Sequence, residues 1–225
     1  MGIFLKEKSE AFNKFKAFKI LVENETKAKI QCLRSDNGGE VTSKEFNLFC
    51  ETHGIKRQFS AARTPQQNGV AKRRNRTVQE ATRTMLNEAR LFDGCWREAI
   101  STAVYILNRG QLRRSSNNTP YEIWFGRAPF VKYFKVVGSK CYIKMLDEDL
   151  GKFDARSDEG IFLGYSSTKK AYRCYNFRIH KIVEITDVKV DDLKTRKFKH
   201  QESILVFESE DDEEPVDTQT DLEEE

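Results

Sequence analysis

Histidine and proline are scarce in this chain, with three and four among 225 residues. The three histidines (His53, His180, His200) and five cysteines (Cys32, Cys50, Cys95, Cys141, Cys174) include no C-x-x-C and none of the spacings of a zinc site. An odd, widely spaced cysteine set also argues against a disulfide framework, so these thiols read as reduced packing residues. No stretch approaches the ~20 consecutive apolar residues of a membrane helix. The apolar run near the start is broken by Lys6, Glu7 and Lys8, which excludes a secretory signal. A nuclear or cytoplasmic address, neither secreted nor membrane-bound, is expected.

Lys and Arg are missing from residues 201–225, where 12 of the 35 acids lie. Residues 1–200 therefore hold 39 basic residues against 23 acids, a net charge of +16 behind a whole-chain value of +4. A basic body followed by an acidic tail suggests a polyanionic partner. Residues 208–225 are too acidic and too poor in apolar groups to fold, and a disordered tail is expected over 196–225.

Along the chain, Phe15, Phe18 and Val22 repeat at helical spacing. Residues 28–34 read as a buried strand ending at Ser35, and D-N-G-G follows as a turn. Thr42 or Ser43 can cap a helix whose inner face is Phe46, Phe49 and Cys50, with Gly54 as its stop. Residues 55–61 make a second short strand. Helix, strand, helix, strand is an α/β order. A long helix is expected from about Gly69 to Ala89, with Val78, Ala81, Met85 and Ala89 inward and Lys72, Arg76, Gln79 and Arg83 on another side. The next helix buries Trp96, Ile100, Ala103, Val104 and Leu107, and Pro120 opens a short helix after the break at 113–120. From about Val131 the pattern becomes four or five short β runs, a small barrel or sandwich. Alternating aromatics there, Tyr142, Phe162, Tyr165, Tyr172, Tyr175 and Phe177, read as core rather than as a base-stacking platform.

Asp36, after a strand and beside a glycine turn, is placed where a carboxylate can hold a hard cation against a phosphate, although D-N-G turns are common without one. Its neighbours sharpen the reading. LRSDNGGE, HGIKRQ, TPQQNGVA with a basic RNRT, NNTPYEIWFGRAP, KVVGSKCY and KFDARSDEGIFLGYS occur in that order. Over residues 4–192 this resembles the integrase region of copia-type long-terminal-repeat retrotransposon Pol polyproteins.

The resemblance implies an RNase H-like core with a D, D-x35-E triad holding two Mg2+ or Mn2+ ions for attack on a phosphodiester. Asp36 matches the second Asp. The Glu position, 35 intervening residues later, is Lys72, because the chain reads NGVAKRRNRT where the family usually has NGVAERKNRT. The strand bearing the first Asp lies upstream of the opening helix in the family. One ligand of three is left, an ammonium cannot coordinate a metal ion, and neither bound metal nor strand-transfer activity is expected. Lys72 can instead pair with Asp36 in place of the metal.

The expected organisation is a partial RNase H-like integrase core lacking its first strands over 1–112, a connecting segment over 113–130, an SH3-like β domain over 131–195, and the tail. With strands missing from its sheet, the N-terminal half is expected to be only marginally stable. DNA is the expected partner, gripped without sequence reading by Lys72, Arg73, Arg74, Arg76 and Arg83 with Gln66, Gln67 and Asn68. Self-association, as in integrases, follows from the same resemblance. A host-retained DNA- or protein-binding module and a non-functional retroelement fragment are the alternatives.

Overall fold

The computed structural model describes residues 2–35, 42–59, 69–91, 93–113, 116–145 and 155–195. Asp36, the loop residues Gln66, Gln67 and Asn68, and the acidic tail lie outside the described residues. The chain forms two compact units, Met1–Thr77 and Val78–Glu225.

In the first unit, helix α1 (Ala11–Thr26) is followed by strand β1 (Cys32–Ser35), helix α2 (Lys44–Thr52) and strand β2 (Lys56–Phe59). The strands pair in parallel, Cys32 opposite Lys56 through Ser35 opposite Phe59. The α/β order is the one read from the sequence, but β1 is shorter than expected. At β1 the cause is local: Lys27 ends α1 in the left-handed region, with φ 55°. The Thr26 hydroxyl then accepts from Ala28 N, and Glu23 Oε1 accepts from Ile30 N. Side chains thus occupy backbone donors a longer strand would offer to its neighbour.

The core of this unit is aromatic. Phe46, Cys50 and Ile55 are buried. Phe12 and Phe15 bring their rings to 5.2 and 5.0 Å from Phe46, within the range of favourable ring pairs. Helix α2 begins where expected, with Ser43 Oγ accepting from Phe46 N. Gly54, at φ +67°, turns the chain into β2 in a conformation most residues avoid.

Helix α3 (Gly69–Ala89) begins in the first unit and ends in the second, which adds α4 (Trp96–Gly110), α5 (Pro120–Phe125) and five strands. The strands are β3 (Ser139–Lys144), β4 (Ser157–Tyr165), β5 (Tyr172–Asn176), β6 (Lys181–Ile185) and β7 (Val188–Thr195). They form one antiparallel sheet in the order β6-β5-β4-β3-β7. The small all-β domain expected in the C-terminal half is therefore present. Strand β4 is its centre and is buried on both faces, as its apolar run G-I-F-L-G-Y requires. Ile161 and Leu163 join Leu86 of α3, Cys95, Ala99 of α4 and Tyr175 of β5 in one core cluster. Phe162 and Tyr165 join Val137, Cys141, Ile143 and Cys174 in another. The six aromatics of the β segment are buried or half-buried.

Helix α4 departs from its expected face. Trp96 is 36% exposed, while Glu98, Ala99, Thr102 and Ala103 are buried. A pattern of apolar residues misses this because two buried positions are polar and satisfied. Thr102 Oγ1 donates to Leu163 O at 2.9 Å, and Glu98 is held by Arg173. The helix comes so close that a Cβ on Gly164 would lie 1.8 Å from Thr102 Oγ1, so only glycine fits there. Helix α5 forms as read: Thr119 and Glu122 make a reciprocal capping box with Pro120 in the first turn.

Candidate nucleic-acid interface

The first three turns of α3 read Gly-Val-Ala-Lys-Arg-Arg-Asn-Arg-Thr-Val-Gln, with no carboxylate before Glu80. Cations at a helix N-terminus oppose the positive end of the macrodipole, each at a cost of a few tenths of a kcal/mol. The local sequence is therefore poor for isolated helix stability and good for receiving an anion.

At ~100° per residue, Lys72, Arg76, Gln79 and Arg83 fall within about 60° of arc and extend about 16 Å along the axis. All four are exposed. The inward side is Val78, Thr82, Leu86 and Ala89, of which Thr82, Leu86 and Ala89 are buried. Thr82 and Leu86 were not among the expected inward residues. Threonine reads as polar, yet the Thr82 hydroxyl is satisfied within the helix by donating to Val78 O at 2.8 Å.

The remaining arginines separate. Arg73 flanks the stripe and folds its guanidinium over Gly69, where an added Cβ would lie 2.8 Å from Nη1. Arg74 points about 200° away from Lys72. It is half-buried, and loss of hydration there lowers its pKa from the usual arginine value. The structure therefore groups Lys72, Arg76 and Arg83, places Arg73 beside them, and sets Arg74 apart.

Strand β1 ends at Ser35, so Asp36 follows a strand directly. Ser35 Oγ is buried and has no hydrogen-bond partner among the described residues. An open hollow of about 250 Å³ beside it is lined by Phe15, Phe18, Leu33 and Phe46. Among the described residues, no three His, Cys, Asp or Glu side chains are grouped to hold a metal ion. At the position where the sequence resemblance asks for a carboxylate ligand, Lys72 presents an exposed ammonium. That donor set does not fit a divalent ion.

Residues 139–204 match the family model of the retroviral polymerase SH3-like domain. This gives the five-stranded sheet its class. Over 184 residues, 82% of its length, the chain is 39% identical to the retrovirus-related Pol polyprotein from transposon TNT 1-94 of Nicotiana tabacum. Over 188 residues, 84% of its length, it is 33% identical to that from transposon RE2 of Arabidopsis thaliana. The chain is similar to a stretch of the retrovirus-related Pol polyproteins of these transposons. It spans about a seventh of the polyproteins it matches, 14% and 13% of their lengths.

Solved structures to which the chain shows some likeness include a simian T-cell lymphotropic virus intasome in complex with a PP2A regulatory subunit. Its TM-score is 0.44 at 15% identity, covering 86% of this chain and 64% of that one. The catalytic core of HTLV-2 integrase with magnesium gives 0.39 at 22% identity, covering 52% and 70%. No helix among the described residues is long and apolar enough to cross a membrane.

Proposed function

We propose that this chain is an integrase-derived, DNA-binding protein of copia-type retrotransposon ancestry that holds duplex phosphates with the exposed face of α3 and carries out no strand transfer. The observation that carries the reading is the exposed stripe of Lys72, Arg76, Gln79 and Arg83, flanked by Arg73, on a helix segment with no acid before Glu80. Contacts from such a stripe position a protein on DNA without reading its sequence. Gln66, Gln67 and Asn68, which precede the helix in sequence, are proposed to add contacts to phosphates and sugars.

The inactivity rests on the donor set. Mg2+ or Mn2+ would supply the polarisation of a scissile phosphate and an activated nucleophile in an integrase. Here Asp36 faces that task with a lysine at the third ligand position, and no step is assigned to a metal. Lys72 pairs with Asp36 and takes the place of the ion electrostatically. In this reading residues 1–112 are the core remnant, 113–130 the connection, 131–195 the SH3-like domain and 196–225 an acidic tail. The chain self-associates as a homo-oligomer in the nucleus or cytoplasm.

Fluorescence anisotropy with a short duplex across a salt series, alongside a strand-transfer assay with Mg2+ and Mn2+, tests the proposal. Four cationic phosphate contacts, from Lys72, Arg73, Arg76 and Arg83, give a log-log salt slope of roughly −3 to −4, with no joined product. Salt-independent binding or a strand-transfer product overturns it. Specific NMR shifts around Asp36 on adding Mg2+ would sink the Asp36–Lys72 pairing.

A further inference from the structure

Residues 109–136 expose an aromatic surface that the α3 reading does not use. Trp124 is 45%, Phe125 52% and Phe130 64% exposed, in a stretch where large apolar side chains ordinarily turn inward. Phe125 and Phe130 are the two ends of a connected series. Phe125 lies 4.6 Å from Tyr121, ring to ring. The Arg109 guanidinium sits over Tyr121 at 4.7 Å and over Tyr105 at 3.5 Å. Tyr105 and Tyr133 meet through their hydroxyls at 2.5 Å, and Tyr133 stacks on Phe130 at 5.8 Å with planes 25° apart. The exposed rings are thus held on a braced base, which lowers the entropy lost when they receive a flat partner.

Charge decides what kind of partner. Residues 109–136 contain six Lys and Arg and one acid, Glu122. That carboxylate is committed to the capping box, accepting from Thr119 N at 2.6 Å. Lys135 is paired with Asp192 at 2.8 Å, whereas Arg113, Arg127 and Lys132, near the rings in sequence, are exposed. Exposed rings interleaved with cations match a polymer that offers flat faces and phosphates together. Stacking on aromatic side chains with electrostatic backbone contact is how unpaired bases are held without sequence preference. A paired duplex hides its base faces and cannot use the rings.

We infer that a surface built by residues 116–136 with Arg113 binds single-stranded nucleic acid, with Trp124, Phe125 and Phe130 stacking on bases and Arg113, Arg127 and Lys132 on the phosphates. This site is separate from the duplex-binding face of α3 and stands without it.

The chain has two tryptophans, so Trp96→Phe leaves Trp124 as its only indole reporter. In the full chain carrying that change, a twenty-nucleotide oligo-dT quenches Trp124 emission saturably. Phe130→Leu weakens binding about tenfold, and Phe130→Tyr restores it, because leucine keeps the apolar area but loses the stacking face. Lys72→Ala with Arg76→Ala weakens duplex binding and leaves oligo-dT binding in place. Absence of quenching overturns the proposal. So does unchanged binding by Phe130→Leu, which would mark an apolar surface for a protein partner. Loss of oligo-dT binding with the α3 pair instead would assign all nucleic-acid contact to α3. Circular dichroism checks that each variant is folded, and Phe130 is exposed enough for its replacement to leave the core intact.

Discussion

Arg173 reaches from β5 to α4 and grips Glu98 with two nitrogens, Nε at 2.7 Å and Nη2 at 2.8 Å. Its third nitrogen, Nη1, donates to Glu184 at 2.6 Å. Glu98 is only 5% exposed, and among the described residues Arg173 is the cation that holds it. Burial lowers the Arg173 pKa, but the two carboxylates outweigh it and hold the guanidinium above its usual value. Removing Arg173 strands a buried carboxylate, and Arg173→Ala is expected to cost about 3 kcal/mol of stability. Arg173→Lys, which keeps the charge and loses the fork, should fall between the two. Urea unfolding of the three proteins gives the order. Equal midpoints would show that Glu98 finds water or another donor.

Gly164 and Thr102 make a steric prediction. A methyl group at Gly164 collides with the Thr102 hydroxyl, so Gly164→Ala should destabilise by roughly 1–3 kcal/mol through overpacking. The double variant Gly164→Ala/Thr102→Ala should recover part of the loss by opening space. Thermal melts decide whether the two effects couple or simply add.

Asp158 sets an acid limit. Burial raises its carboxyl, but hydrogen bonds from Arg178 Nε at 2.8 and 2.9 Å and from Asn176 Nδ2 at 2.8 Å prevail and hold it below the ordinary value of 3.8. A depressed carboxyl means that the unfolded chain binds the proton more readily. The contribution is therefore complete above about pH 5 and fades as pH falls through the lowered value. Urea midpoints measured between about pH 3 and 7 should show a steeper acid limb in the wild type than in Asp158→Asn. Parallel curves would assign the acid sensitivity elsewhere.

Lys72→Glu restores a carboxylate at the position the family fills with one. With Asp36 as the only other ligand identified, the change should not produce strand transfer. It should weaken duplex binding and reduce the magnitude of the salt slope by about one, as for loss of a phosphate contact. A strand-transfer product from Lys72→Glu would mean that a further ligand lies in the chain unrecognised.

Much of the fold was legible because its signals are local. Ser43, Gly54 and Pro120 are cap and turn residues whose chemistry acts within four positions, and each stands where expected. The long apolar run of β4 and the basic stripe of α3 were likewise readable from spacing alone. The inner face of α4 was not, because Glu98 and Thr102 are buried by partners 75 and 61 residues away. Periodicity carries no information about such pairs. At the candidate interface, spacing alone put Lys72, Arg76, Gln79 and Arg83 on one side of the helix, whereas the list of expected DNA contacts also held Arg74, which the helix turns to another side. The exposed rings near Phe130 were passed over because aromatics in a short helix and loop read as packing.

The helix-facing side of β4 bears on how the SH3-like module could be separated from its neighbours. Ile161, Leu163 and Tyr175 are covered by Leu86, Cys95 and Ala99, which precede the first strand by some 40 residues or more. A piece excised at residue 131 would leave that side of the sheet in water and lose the hydrogen bond to Leu163 O. Recombination or processing that moves this sheet as a stable unit must carry α4 and the end of α3 along with it.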